Sequence, residues 1–212
     1  MTLAMTMPSL LSTPLKPLLR LGGIFTLALL LAPTVRAQAT ATPTAVPLAN
    51  TMIYIIRHGE KPADGAALSP EGTKRAQGYV EFFTTLKVKK QPVKVEHLFA
   101  AADSKNSARP RLTLEPLSRA LNLPLDLRFE ADDVKGLAED LRTKDHGRCI
   151  VICWHHGPIP ELLKELGVDP ADLLEDGEWP DKVFDWVIQL RYDAAGKIVP
   201  KRSVRFAIRW GK

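Results

Sequence analysis

Histidine and arginine side chains follow three apolar runs of the sequence. Arg-His-Gly-Glu at 57–60 and His-His-Gly at 155–157 each come directly after such a run, and Arg109 follows a third. A neutral imidazole is a good nucleophile that can carry a covalent intermediate. Guanidinium groups stay charged at any working pH and match phosphoryl oxygens in a fork geometry. Brought together, these segments would suit phosphoryl transfer to a histidine, with fixed cations that stabilise the transition state.

The elements that must position these residues are predicted from hydrophobic periodicity. Short apolar runs alternate with amphipathic stretches, and Ser69 followed by Pro70 is typical of a helix start. The apolar runs predict strands at 52–56, 95–101, 125–129 and 148–154. The helical pattern predicts a helix that begins after Ser69, further helices at 109–121, 132–142 and 158–166, and then two strands at 182–192 and 198–210.

Strands that alternate with helices pair in parallel, because each crossover helix packs on a face of the sheet. The sequence therefore predicts an α/β fold, a three-layer α/β/α sandwich with a mostly parallel central sheet. Ligands of such sheets bind beyond the carboxyl ends of the strands. The three histidine and arginine segments are therefore expected at one edge of the sheet, near helix N-termini that favour anions.

Residues 1–37 have the composition of a secretory signal. They contain no Asp or Glu, and Lys16 and Arg20 precede an apolar run at 21–32. This run is shorter than the roughly 20 residues of a membrane span. We therefore expect a cleavable signal peptide at 1–37, a periplasmic or secreted protein and no stable membrane span after cleavage. An uncleaved N-terminal anchor is the alternative.

Composition also divides the rest of the chain. Residues 38–50 are rich in Ala, Thr and Pro, which predicts an extended spacer, and 51–212 is the expected folded domain. The chain has 29 Lys and Arg against 24 Asp and Glu, but three of the basic residues lie in 1–37, so the remainder carries a net charge of only about +2. No basic stripe is interleaved with aromatic residues, so nucleic acid is not an expected partner.

The two cysteines, Cys149 and Cys153, lie within one predicted strand. Four residues of a strand span roughly 13 Å, whereas a disulfide needs Cα atoms within about 7 Å of each other. We therefore expect two buried free thiols.

Four segments of the sequence together resemble a known family. The segment 57–60 resembles the Arg-His-Gly-Glu signature of the histidine phosphatase superfamily, the phosphoglycerate-mutase-like group. The segments 68–76 and 109–117 and the His-Gly pair at 156–157 are similar to later motifs of that superfamily. The matches occur in the order of the family and cover about 51–167.

The resemblance implies a phosphoglycerate-mutase-like fold and a phosphatase that needs neither a metal nor an organic cofactor. His58 would be the nucleophile that is phosphorylated. Arg57 and Arg109 would bind the phosphoryl oxygens, and His156 would complete the phosphate site. The expected substrate is a phosphorylated small molecule or another phosphomonoester.

The sequence departs from the family pattern where proton transfer is concerned. Pro110 stands where the family usually has Ala, and His156 is followed by Gly157 rather than by the Asp that serves as proton donor in the acid-phosphatase branch. Glu130 lies roughly where another branch carries its donor and is a candidate for this role. The identity of the general acid therefore stays open.

Two neighbours of the predicted site residues also have open roles. Glu60 either supports Arg57 or caps a helix. If the strand at 148–154 continues, alternation points His155 and His156 to opposite faces, so that only one of them can face the phosphate. The order His-Gly favours His156.

Two other functions fit parts of the sequence. One is a phosphate-binding module of the same fold that does not catalyse a reaction, since the general acid is unassigned. The other is a metal-dependent hydrolase that uses His58, Glu60, His155 and His156, although the sequence lacks the paired histidines of a helical zinc site. The physiological substrate and the oligomeric state are open.

Overall fold

The chain alternates strands and helices, as the periodicity predicts. The structure, a computed structural model, describes residues 46–208. In chain order the strands are β1 (Met52–Arg57), β2 (Lys87–Val88), β3 (Gln91–Pro92), β4 (His97–Ala100), β5 (Leu125–Asp126), β6 (Cys149–Trp154), β7 (Trp186–Arg191) and β8 (Val204–Ala207). The α-helices are α1 (Pro70–Thr84), α2 (Arg109–Leu121), α3 (Val134–Thr143) and α4 (Ile159–Glu165).

Six of the strands form the central sheet, in the spatial order β5-β4-β6-β1-β7-β8. The strands β5, β4, β6 and β1 run parallel to their neighbours. β7 pairs antiparallel with β1, and β8 pairs antiparallel with β7. The prediction of a mostly parallel central sheet is confirmed, and the two antiparallel strands close one side of it.

Both faces of the sheet are covered by helices, which gives the predicted three layers. Ile53 and Ile55 of β1 pack in a core with residues of α3 and α4. Tyr54 and Ile56 point the other way, into a core with residues of α1 and α2. A strand that is buried on both faces needs apolar residues at every position, which explains the continuous apolar run of β1.

The two helices nearest the predicted site begin where the sequence predicts. The hydroxyl of Ser69 accepts a hydrogen bond of 3.1 Å from the backbone N–H of Gly72, and Pro70 is the first residue of α1. α2 begins at Arg109 and ends before Asn122, which has a left-handed backbone with φ of 52°.

The C-terminal strands are shorter than predicted. The expected strand at 182–192 begins only at Trp186, because the backbone before it forms a loop whose carbonyl groups face Arg57. The expected strand at 198–210 is interrupted by a 3₁₀ turn at Pro200–Arg202, so that β8 begins at Val204.

The predicted leader at 1–37 lies outside the described residues. Within the predicted spacer at 38–50, the side chain of Leu48 is only 6% exposed and packs in the core with α3 and α4. The packed part of the chain therefore begins before Thr51. Between residues 46 and 208, no helix is both long and apolar enough to span a membrane.

Cys149 and Cys153 are free thiols, and both are buried in β6. Burial raises the pKa of both thiols well above their ordinary value. The prediction of two buried free thiols is confirmed.

Candidate active site

The predicted site lies beyond the carboxyl ends of β1 and β6. These strands pair in register, so that Arg57 at the end of β1 lies opposite Trp154 at the end of β6. The residues that follow, His58 and His155, therefore leave the sheet side by side, with ring centroids 4.9 Å apart. Parallel pairing of the two strands is thus the direct reason that distant histidines meet.

A cavity of about 620 Å³ opens at this edge of the sheet. All four predicted site residues, His58, Arg57, Arg109 and His156, line this one cavity. The remaining lining residues are Glu60, Lys61, His155, Asp181, Lys182 and Phe184. The structure therefore brings together every residue that the sequence predicted for the site, and it adds a group of residues from the loop before β7.

The ring of His58 is oriented by its own loop. It is 4% exposed, and its Nδ1 atom lies 2.7 Å from the carbonyl oxygen of Gly59. Because a carbonyl oxygen only accepts, Nδ1 carries the proton and Nε2 keeps a lone pair. Burial, together with the nearby charges of His155, Arg57 and Arg109, lowers the pKa of His58 to about 3. The imidazole is therefore neutral near pH 7, as a nucleophile must be.

A tight contact between the His58 loop and α1 fixes this loop. A Cβ atom on Gly59 would lie 2.8 Å from the carbonyl oxygen of Gly72, which is closer than side-chain carbons approach in real structures. The backbone N–H of Gly59 donates to the hydroxyl of Thr113 in α2 at 2.9 Å. The glycine after His58 therefore lets the loop pack against both helices.

The side chain of Arg57 binds the loop before β7. Its Nη1 atom lies 2.7 Å from the carbonyl oxygen of Asp181, 3.0 Å from that of Val183 and 3.2 Å from that of Pro180. The guanidinium carbon lies 3.8 Å from the ring centroid of Phe184. Burial lowers the pKa of Arg57 to about 10, so this 5% exposed side chain still carries its charge near pH 7.

Comparison with known proteins identifies the fold. No model of a protein family matches the sequence, and no curated protein matches it. Among solved structures, a protein from Escherichia coli assigned as an alpha-ribazole-5'-P phosphatase superposes with a TM-score of 0.51 at 12% identity, over 76% of this chain and 97% of that one.

Two further structures align less closely. A phosphoglycerate mutase from Plasmodium falciparum gives a TM-score of 0.49 at 17% identity, over 71% of this chain and 88% of that one. A mycobacterial glucosyl-3-phosphoglycerate phosphatase gives a TM-score of 0.45 at 12% identity, over 76% and 98% of the two chains.

The chain has the fold of the histidine phosphatase superfamily. This fold agrees with the family resemblance of the sequence motifs, which lie at one edge of the sheet. The structure also shows the positions of several residues whose roles the sequence leaves open.

Glu60 does not pair with Arg57. Its carboxylate accepts three hydrogen bonds from the guanidinium group of Arg75 in α1, at 2.5, 3.0 and 3.1 Å. The Glu60 side chain therefore joins the His58 loop to α1.

Both His155 and His156 line the cavity, because β6 ends at Trp154 and the alternation of a strand does not extend to them. The ring of His155 contacts His58, and burial, together with Arg109, His156 and Arg57, lowers the pKa of His155 to about 4. The Nε2 atom of His156 instead lies 2.6 Å from Oδ1 of Asp181.

Glu130, the candidate general acid of the sequence, is exposed and does not line this cavity. Asp181 does line it, and sequence reasoning missed this residue because nothing in the neighbouring residues marks it. Its place depends on tertiary contacts with Arg57 and His156.

The side chain of Arg109, at the start of α2, makes one hydrogen bond to a described residue, from Nη1 to the carbonyl oxygen of Gly65 at 3.2 Å. The Nε atoms of Arg109 and Arg57 are buried without a partner among residues 46–208. In the same part of the chain, no group of three or more His, Cys, Asp or Glu side chains is arranged to hold a metal ion.

Proposed function

We propose that the protein hydrolyses phosphomonoesters through a phosphohistidine on His58. The observation that carries the proposal is the orientation of His58. Its Nδ1 proton is held by the Gly59 carbonyl, so the Nε2 lone pair is free. The same cavity is lined by two arginines, Arg57 and Arg109, and a second imidazole, His155.

In the first step, Nε2 of His58 attacks the phosphorus atom while the bond from phosphorus to the ester oxygen breaks. Negative charge spread over the equatorial oxygens is stabilised by groups that already point into the cavity, which is the main source of catalysis in phosphoryl transfer. Arg109 supplies a guanidinium group for these oxygens. The Nε atoms of Arg57 and Arg109, which lack a partner among residues 46–208, are donors that an anion in the cavity would satisfy.

The name of the Escherichia coli neighbour, an alpha-ribazole-5'-P phosphatase, agrees with this chemistry, and it favours a phosphorylated small molecule as substrate. The leader predicted at 1–37 favours hydrolysis in the periplasm or outside the cell. His155, rather than His156 alone, is included in the proposed phosphate site because its ring contacts that of His58.

The test compares the wild-type protein with His58→Ala on 4-nitrophenyl phosphate. We expect nitrophenol release and a phosphoryl group on His58, detected by mass spectrometry after a rapid quench in alkaline denaturant, in which the N–P bond survives, and we expect both to be lost in the variant. His97→Gln is the matched control, because His97 lies at the start of β4 and does not line the cavity.

Unchanged turnover in His58→Ala would refute the proposal. Binding of inorganic phosphate without turnover on a broad substrate panel would favour the phosphate-binding module instead. Loss of activity on chelation, with recovery on adding zinc, would favour the metal-dependent hydrolase.

A further inference from the structure

We propose that Asp181 is the proton donor to the leaving group and that His156 is its positioning residue. This inference rests on the proposed function, because it assigns the acid that phosphoester hydrolysis at His58 requires.

Among the described residues, two carboxyl groups line the His58 cavity, those of Glu60 and Asp181. Glu60 accepts three hydrogen bonds from Arg75, which engage both of its carboxylate oxygens. The Asp181 side chain is 86% exposed and has a single contact to a described residue, from Nε2 of His156 to Oδ1 at 2.6 Å. Asp181 is therefore the carboxyl group of this cavity with an oxygen left to carry a transferable proton.

Asp181 is fixed at both its backbone and its side chain. Arg57 donates to the carbonyl oxygen of Asp181 at 2.7 Å and also binds the carbonyl groups of Pro180 and Val183. His156, which follows β6, holds Oδ1. Arg57, the residue before the nucleophile, therefore holds the backbone of Asp181. His156, two residues after the end of β6, holds its carboxyl group. A catalytic acid must be positioned in this way.

Asp181 and His156 also line a second cavity of about 590 Å³. The two residues thus stand between the space at His58 and a space that could hold an alcohol group. A leaving-group oxygen lies between the phosphorus atom and the rest of the substrate. A donor at the junction of the two cavities is therefore in the correct region to reach that oxygen.

The proposed reaction has two steps. The Nε2 lone pair of His58 forms the N–P bond, the P–O bond of the ester breaks, and the ester oxygen takes the Oδ2 proton of Asp181 as it leaves as an alcohol. In the second step, the Asp181 carboxylate takes a proton from water as the water oxygen attacks phosphorus. The N–P bond then breaks, its electron pair returns to Nε2, and phosphate is released.

Positioned general acids contribute about 10²- to 10⁴-fold to a rate. This contribution is needed for an alkoxide leaving group and is largely dispensable for nitrophenolate, which leaves without a proton. The dependence on leaving group therefore separates a proton donor from a residue with a structural role.

The experiment measures kcat/KM of Asp181→Asn on glycerol 2-phosphate and on 4-nitrophenyl phosphate. We expect a loss of at least about 100-fold on the alkyl ester and a much smaller change on the aryl ester, with phosphorylation of His58 by the aryl ester retained. His156→Gln keeps a hydrogen-bond donor but alters its position. It is expected to show the same pattern as Asp181→Asn with a smaller factor, namely a loss of kcat/KM on glycerol 2-phosphate that exceeds the loss on 4-nitrophenyl phosphate.

Asp172→Asn is the matched control, an exposed acid that lines neither cavity. It is expected to leave the ratio of the two kcat/KM values unchanged. Equal losses on both substrates in Asp181→Asn, or no loss on glycerol 2-phosphate, would overturn the assignment of Asp181. Turnover that survives in His58→Ala would instead overturn the proposed function, so the two failures are distinguishable.

Discussion

The rings of His58 and His155 meet edge to face, with centroids 4.9 Å apart and planes at 68°. They are brought together by the register of β1 and β6, in which Arg57 lies opposite Trp154. A phosphoryl group attached to His58 would therefore lie beside His155, whereas His156 is engaged by Asp181. The two adjacent histidines therefore have different contacts.

The first prediction concerns these two histidines. His155→Gln is expected to lower kcat on 4-nitrophenyl phosphate by about 10²- to 10³-fold, the usual effect of removing one donor to a developing negative charge. His156→Gln is expected to have a much smaller effect on the same substrate. Steady-state kinetics of both variants provide the measurement. A larger loss in His156→Gln would show that His156 serves the phosphoryl group, as the His-Gly order in the sequence predicts.

The second prediction concerns the pH dependence of stability. The pKa of His58 is lowered to about 3 by burial, whereas an unfolded histidine titrates near 6.5. Between these values the unfolded chain binds the proton and the folded chain does not, so folding stability falls as the pH falls below about 6.5. His58→Gln lacks this linkage. We therefore expect its stability relative to wild type to rise as the pH is lowered from about 7 to about 5.

Urea unfolding of both proteins at several pH values measures this difference. His97→Gln tests the same linkage outside the cavity: burial also lowers the pKa of His97, so the stability of this variant relative to wild type is expected to change in the same direction. A constant difference between wild type and His58→Gln over the pH range would contradict the lowered pKa of His58.

The third prediction concerns the loop before β7. Arg57→Lys removes the planar group that lies over Phe184 and that shares its N–H groups among three carbonyl oxygens. We expect faster amide hydrogen exchange in 181–184, because opening of a segment becomes easier when it loses contacts. Arg109→Lys is the matched control, since Arg109 makes no hydrogen bond to this loop among the described residues. Equal exchange in the two variants would show that Arg57 does not hold the loop.

The fourth prediction concerns the glycine after the nucleophile. Gly59→Ala would place a Cβ atom 2.8 Å from the backbone oxygen of Gly72, and overpacking of this kind costs about 1–3 kcal/mol. Gly157→Ala is the matched control, because a Cβ atom there meets nothing within 4 Å. Thermal unfolding is expected to show a lower Tm for Gly59→Ala and little change for Gly157→Ala. Similar Tm values would indicate that the His58 loop can move away from α1.

The sequence predicts those parts of the fold that are encoded locally. The run before His58 is apolar at every position because β1 is buried on both faces, and Ser69 and Pro70 mark the start of α1 through their own backbone and side-chain chemistry. Residues 182–185 were predicted as strand but form a loop, because the nearby carbonyl groups bind Arg57 from a distant part of the chain.

Site residues could be predicted where they lie in local sequence motifs. His58 and Arg109 lie in motifs, whereas Asp181 is defined only by the residues that contact it in the folded chain. Whether both His155 and His156 face the cavity depends on the exact end of β6, since a longer strand would turn one of them away. Element ends are set by tertiary contacts and are the part of a prediction that periodicity determines least.

The pairing of Glu60 with Arg75 also determines how an anion reaches His58. With that carboxylate matched, the cavity wall presents Arg57, Arg109, Lys61 and Lys182 against the single open carboxyl group of Asp181. Such an excess of positive charge attracts dianions from a distance, and salt at about 0.1 M screens this attraction beyond about 10 Å. Capture of a phosphate ester is therefore expected to slow as salt is added, while a neutral compound of the same shape would diffuse in at a rate that salt does not alter.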